Sequence, residues 1–165
     1  MKKFLLLALL IASTSLYASD FNGGKWGVGG LYNSFNGVTG ADGGALRVGY
    51  YADMYDVSLL LSNRSYTATA TNGTGYGIQA KIKKEIGSNN YLTAGAIYRT
   101  TSVVSGSKPS MYGVSVGVQS VVSNKILLGA DIYPYFGSSN SYSLGTTAST
   151  SQIFEVVQAS VSYLF

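Results

Sequence analysis

The C-terminal stretch IFEVVQASVSYLF, Ile153 to Phe165, decides how this chain reads. Counting back from the end in steps of two, Phe165, Tyr163, Val161, Ala159 and Val157 are all apolar or aromatic. Between them, Ser162, Ser160 and Gln158 are polar. Successive side chains of a strand point to opposite faces, so the stretch predicts a strand with one apolar face and one mostly wet face. A last strand of this kind suits two architectures. In a soluble β-sandwich the apolar face turns inward to a core. In a membrane barrel it turns outward to lipid.

The beginning of the chain leans toward the envelope. Lys2 and Lys3 form a basic region, Phe4 to Ala12 a short apolar run, and Ser13 to Ala18 are mostly small. This is the pattern of a secretory signal peptide, Met1 to Ala18. Cleavage is expected after Ala18, although Leu16 stands where a small residue is usual. The apolar run is far shorter than the roughly 20 residues a transmembrane helix needs. The chain has no Cys, so neither disulfides nor an anchor through a terminal Cys is available. The expected mature chain, Ser19 to Phe165, suits a single domain.

Without Lys2 and Lys3, nine basic residues face seven acidic ones, and the formal charge falls from +4 to +2. That balance says little about anionic partners, and with no basic stripe no nucleic-acid partner is expected. Charged residues make up only 11% of the chain, against about 25% in ordinary soluble domains. Gly and Tyr are abundant instead, at 21 and 14 residues. Such a composition fits a surface that faces lipid rather than water.

Period-two alternation recurs along the whole chain, broken by Gly, Asn and Ser clusters, and no long segment shows a helical period. Eight strands are expected. The first, about Lys25 to Tyr32, sets Trp26, Val28, Gly30 and Tyr32 on one face. The next are Ala45 to Tyr51 (Leu46, Val48, Tyr50) and Tyr55 to Ser62 (Tyr55, Val57, Leu59, Leu61). Tyr76 to Glu85 aligns Tyr76, Ile78, Ala80 and Ile82, and Tyr91 to Arg99 aligns Leu92, Ala94, Ala96 and Tyr98. Met111 to Ser120 aligns Tyr112, Val114, Val116 and Val118, and Ile126 to Tyr135 aligns Leu128, Ala130, Ile132 and Pro134. Ile153 to Phe165 is the eighth.

The connections alternate in length. Those after the second, fourth and sixth strands are a few residues long. The others, Asn33–Gly44, Asn63–Gly75, Thr100–Ser110 and Phe136–Ser151, are long. Short turns on one side and long loops on the other are the rule for transmembrane barrels. Aromatic residues also fall at the ends of the apolar series. Trp26, Tyr50, Tyr55, Tyr163 and Phe165 form one rim, and Tyr32, Tyr76, Tyr98 and Tyr112 the other. Amphipathic rings at both lipid–water boundaries make girdles around an aliphatic middle.

Taken together, the chain resembles the small eight-stranded bacterial outer-membrane proteins: OmpX-like proteins, the OmpA membrane domain and Opa-type adhesins. The resemblance is architectural and rests on no diagnostic motif. It implies an all-β fold, an eight-stranded antiparallel up-and-down transmembrane β-barrel over residues 19–165, with both termini periplasmic. It also implies that Val157, Ala159, Val161, Tyr163 and Phe165 are read by the barrel-assembly machinery as an insertion signal. The expected surroundings are outer-membrane lipid.

The opposite faces of the strands carry charge. By parity Lys25, Arg47, Asp56, Lys81, Lys83, Glu85, Arg99 and Asp131 point inward, while Lys84 points outward near one rim. An eight-stranded barrel is just wide enough for side chains to fill it, so these charges are expected to pair as a plug, or else to form a gate. The chain has no His, so no Ser–His or Asp–His pair can act, and no enzyme is expected. No metal motif and no cofactor motif is present. Asp42, in Gly40 to Gly44, reads as a turn rather than a calcium loop. The long loops, rich in Ser, Thr, Asn, Gly and Tyr, are the remaining surface for an extracellular ligand or host partner. Three functions are compatible with this reading. They are a non-enzymatic envelope or adhesion-type protein, a narrow porin-like channel, and a soluble lipocalin-like carrier.

Overall fold

In the computed structural model, described over residues 24–35, 44–66, 71–87, 89–102, 110–123, 125–139 and 156–165, every element is a strand. They are β1 (Lys25–Phe35), β2 (Ala45–Tyr51), β3 (Tyr55–Tyr66) and β4 (Thr71–Gly87), then β5 (Asn90–Ser102), β6 (Ser110–Ser123), β7 (Ile126–Ser139) and β8 (Val156–Leu164). Each pairs antiparallel with the next, and β1 pairs with β8, from Gly27↔Leu164 to Phe35↔Val156. The ladder therefore closes, and closure pairs the backbone groups that an open sheet edge would leave unmet. The expected leader, residues 1–18, and Asp42 lie outside the described residues.

One end of the barrel carries the tight turns. After β2 the chain reverses over Ala52 to Met54, where the Ala52 N–H donates to the Tyr55 carbonyl at 2.8 Å. After β4 it reverses through Asn89, whose φ of 60° is left-handed. Asn tolerates that conformation because its short amide can bond its own backbone. The chain's two described ends meet here too. Phe165 N–H donates to the Trp26 carbonyl at 2.8 Å, and Leu164 N–H to the Lys125 carbonyl at 2.7 Å. The last residues are thus tied to β1 on one side and to the β6–β7 turn on the other.

The strands are longer than their apolar pattern at the other end. The segment Asn63–Gly75, expected as a loop, is mostly ladder: Asn63↔Thr74, Arg64↔Gly73, Ser65↔Asn72 and Tyr66↔Thr71 all pair. Likewise β1, β5, β6 and β7 run past their expected ends; β8 is described from Val156, and Ile153 to Glu155, expected at its start, lie outside the described residues. Beyond the lipid-facing band no apolar alternation is needed, so pairing continues through Ser, Asn, Thr and Gly without a signal in the pattern. The ladder also slips between β6 and β7. Val114 and Val116 pair with Tyr135 and Ile132, leaving two β7 residues opposite Ser115. One of the two is Pro134, which has no N–H to donate and sits at a bulge for that reason.

Polarity is inverted relative to a soluble barrel. Val28, Leu46, Val57, Leu59, Leu61, Ile78, Ile82, Leu92, Val114, Val116 and Val161 are exposed on the outside. Arg47, Asp56, Lys81, Lys83, Arg99 and Asp131 are buried inside. Val118 and Ala130, outward by parity and opposite one another in register, are buried nonetheless.

Candidate functional site in the barrel lumen

The inward positions of the eight strands bring most of the predicted charges together. Lys81 Nζ lies 2.5 Å from Asp131 Oδ2, and Lys83 Nζ lies 2.7 Å from Asp56 Oδ1. These pairs do not follow the ladder. Asp56 stands opposite Lys81 in register, yet it bonds Lys83, while Lys81 reaches from β4 across to β7. Neutral groups complete both carboxylates. Gln119 Nε2 donates to Asp56 Oδ2 at 2.7 Å, and the Thr93 hydroxyl to Asp131 Oδ1 at 3.3 Å. Gln79 Nε2 donates to the Tyr133 hydroxyl and to Gln158 Oε1, both at 2.8 Å. In a ring of eight strands β4 and β8 are opposite walls, so the Gln79–Gln158 bond spans the lumen.

Glycine makes room for these long side chains. Across the strand from Lys81 is Gly95, across from Asp131 is Gly117, and across from Arg99 is Gly77. A Cβ on Gly95 would stand 2.7 Å from Lys81 Cγ, and one on Gly77 2.7 Å from Arg99 Cγ. On Gly117 it would collide with Asp131 Oδ1 and the Ala130 carbonyl. Each of these charges thus occupies the volume that its cross-strand neighbour leaves unfilled. That complementarity is legible in sequence only once the register is known.

Toward the turn end the lumen is floored by an apolar cluster of Tyr51, Tyr91, Val121, Leu127 and Leu164, all buried. Tyr51 joins floor and polar layer: its hydroxyl accepts from Arg47 Nε at 2.7 Å and lies 3.1 Å from the Ser162 hydroxyl. At the loop end Arg99 Nη2 donates to the Ser62 hydroxyl at 2.9 Å. Counting charges alone overlooks Gln79, Gln119, Gln158, Thr93, Tyr51 and Tyr133, although every one of them sits at an inward-parity position.

Two of the expected lumen charges do not belong to this interior. Glu85 has inward parity but is exposed, because β4 runs past the barrel wall there and its pairing with β5 shifts between Glu85 and Gly87. Lys25, the first residue of β1, is half-buried at the mouth. Lys84 is exposed on the outside between Ile82 and Ile86.

Around the outside the aromatic residues form two rims. At the turn end Trp26 and Tyr50 meet edge to face at 5.6 Å, Tyr50 and Tyr55 lie 6.3 Å apart, and Lys125 Nζ stands 5.9 Å from the Tyr163 ring centre. Tyr163 and Phe165 are exposed beside them, at the end of the outward series Val157, Ala159 and Val161. At the loop end Tyr32, Tyr76, Tyr98 and Tyr112 are exposed, with Tyr98 and Tyr112 directly opposite in register. Among the described residues no three His, Cys, Asp or Glu side chains cluster as a metal site.

No family model and no curated protein matches the sequence. Solved structures do resemble the fold. The N-terminal β-barrel domain of Pseudomonas aeruginosa OprF aligns over 86% of this chain and 97% of its own, at 13% identity and a TM-score of 0.53. Two looser likenesses are the outer membrane protein AlkL, at 12% identity and a TM-score of 0.47 over 90% of this chain and 93% of that one, and Neisserial surface protein A. The latter aligns at 18% identity and a TM-score of 0.43 over 86% of this chain and 96% of its own. Closed antiparallel pairing, inverted polarity and this structural likeness agree: the chain has the fold of the small eight-stranded outer-membrane β-barrels.

Proposed function

We propose that this chain is an integral outer-membrane protein with a sealed lumen, serving a non-enzymatic envelope-structural or surface-interaction role. The observation that carries this reading is the inverted polarity of the closed barrel. Leu59, Ile78, Ile82 and Val116 are about half-exposed or more on the outside, while Arg47, Lys81 and Asp131 are almost fully buried inside. An apolar band around the whole barrel is stable only in hydrocarbon, where closure also satisfies every backbone group.

The bonds that cross the lumen favour a plug over a narrow channel, and the apolar floor blocks the same path. The absence of His leaves the buried carboxylates in ion pairs rather than in catalytic pairs. A soluble carrier would need an apolar interior for its cargo, and the polar, filled lumen argues against one. By this reading the tight turns and both termini are periplasmic, and the long loops reach the cell exterior as the surface for a ligand or host partner. The outward face of β8 would be the part read by the assembly machinery.

Site-specific labelling tests the orientation directly. The chain has no Cys, so single substitutions give clean probes. A membrane-impermeant maleimide on intact cells should label Ser149→Cys, in the stretch of sequence between β7 and β8, and leave Asp53→Cys, exposed in the turn over Ala52 to Met54, untouched until the outer membrane is opened. Labelling of both on intact cells, or recovery of the chain in the soluble periplasmic fraction, contradicts the assignment.

A further inference from the structure

We propose that the lumen holds one small monovalent anion of halide size at Arg47. Among the described residues the buried cations are Arg47, Lys81, Lys83 and Arg99, and the buried carboxylates are Asp56 and Asp131. The two lysines take the two carboxylates, and Gln119 and Thr93 fill further acceptor positions on them. Arg47 is 1% exposed. Its Nε bonds a neutral hydroxyl, that of Tyr51, and its buried Nη1 has no hydrogen-bond partner. The guanidinium therefore sits in the interior with no countercharge bonded to it among the described residues.

A buried charge in that state is strongly destabilising unless something balances it. A lysine can relieve such a surplus by losing its proton. An arginine cannot, because its guanidinium stays protonated in proteins. Water would satisfy Nη1 as an acceptor but would leave the charge surplus in place. A small anion does both. The wall beside Arg47 offers hydroxyls rather than bulk: Gly29 faces it directly on β1 and Gly49 is two residues along β2, and the side chains of Ser162 and Ser58 fill the space over these two glycines. Hydroxyl and guanidinium N–H donors are the groups a halide accepts from, without directional demands of its own.

The test uses the chain purified from the outer membrane of an expressing host and unfolded reversibly in lipid vesicles at constant ionic strength. Chloride, bromide and gluconate are compared, gluconate being too large for the lumen. The folding equilibrium constant should rise with halide and saturate, by about tenfold when halide is ten times its dissociation constant. The rise should vanish in Arg47→Met. Should that variant fail to fold, Arg47→Gln or bromide soaks of wild-type crystals replace it, with anomalous signal expected within hydrogen-bond reach of Nη1. Equal stability of wild type in chloride and gluconate overturns the proposal. So does a bromide map with no lumenal peak and ordered water at Nη1.

Discussion

Replacing Asp131 with Ala removes the acceptor shared by Lys81 and Thr93. The Lys81–Asp131 contact is 2.5 Å and both side chains are 0% exposed, so solvent screens neither partner. Leaving one member of a buried pair alone typically costs about 3–5 kcal/mol. The lost Thr93 bond to Asp131 Oδ1, at 3.3 Å, is long and adds about 1 kcal/mol at most. Asp131→Ala should therefore destabilise the barrel by about 3–5 kcal/mol, or by less if water enters to solvate Lys81. The sole tryptophan, Trp26, lies on the outer rim and reports the barrel leaving lipid, so urea unfolding in vesicles can be followed by its fluorescence. A second variant separates the charge effect from simple loss of packing. If the cost comes from the stranded ammonium, Lys81→Met combined with Asp131→Ala should be less destabilised than Asp131→Ala alone. Additive costs in the two single variants, or an Asp131→Ala barrel as stable as wild type with no gain in conductance, would refute the network.

Three further outcomes are expected. Gly117→Ala places a Cβ against Asp131 Oδ1 and the Ala130 carbonyl, so it should cost about 1–3 kcal/mol by urea unfolding; a neutral substitution would show that the strand gives way freely. Val116→Arg should cost about 2–4 kcal/mol on the lipid face, while Ser115→Asn, one residue away and inward, should cost far less; equal costs would reverse the face assignment. Deleting Phe165 removes its bond to the Trp26 carbonyl and the exposed terminal ring, so heat-modifiable protein in the outer membrane should fall sharply, and wild-type levels would contradict an insertion role for the last strand.

The faces of the barrel are readable in the chain because lipid imposes a two-residue period on each crossing. Tyr76, Ile78, Ala80 and Ile82 could be assigned outward, and Lys81 and Lys83 inward, by counting. Three things were not readable in that way. Strand ends carry no signal where the period stops but pairing continues, as at Asn63 to Tyr66. The partners of the lumenal charges depend on stagger around the closed sheet, which is why Asp56 bonds Lys83 and not the Lys81 opposite it. Parity also carries no depth. Glu85 continues the inward series past the end of the wall into solvent, and Tyr51, Leu127 and Leu164 lie on the polar face yet form an apolar floor because they fall at its last level.

The sealed lumen proposed above rests on side chains bonded across the barrel. Single-channel recording of the wild-type protein in a planar lipid bilayer tests this most directly. With Gln79 bonded to Gln158 across the lumen, Lys81 to Asp131, and five apolar side chains beneath them, the barrel should be silent apart from rare, brief openings. A steady ohmic conductance from the wild-type barrel would show an open lumen and rule out the plug.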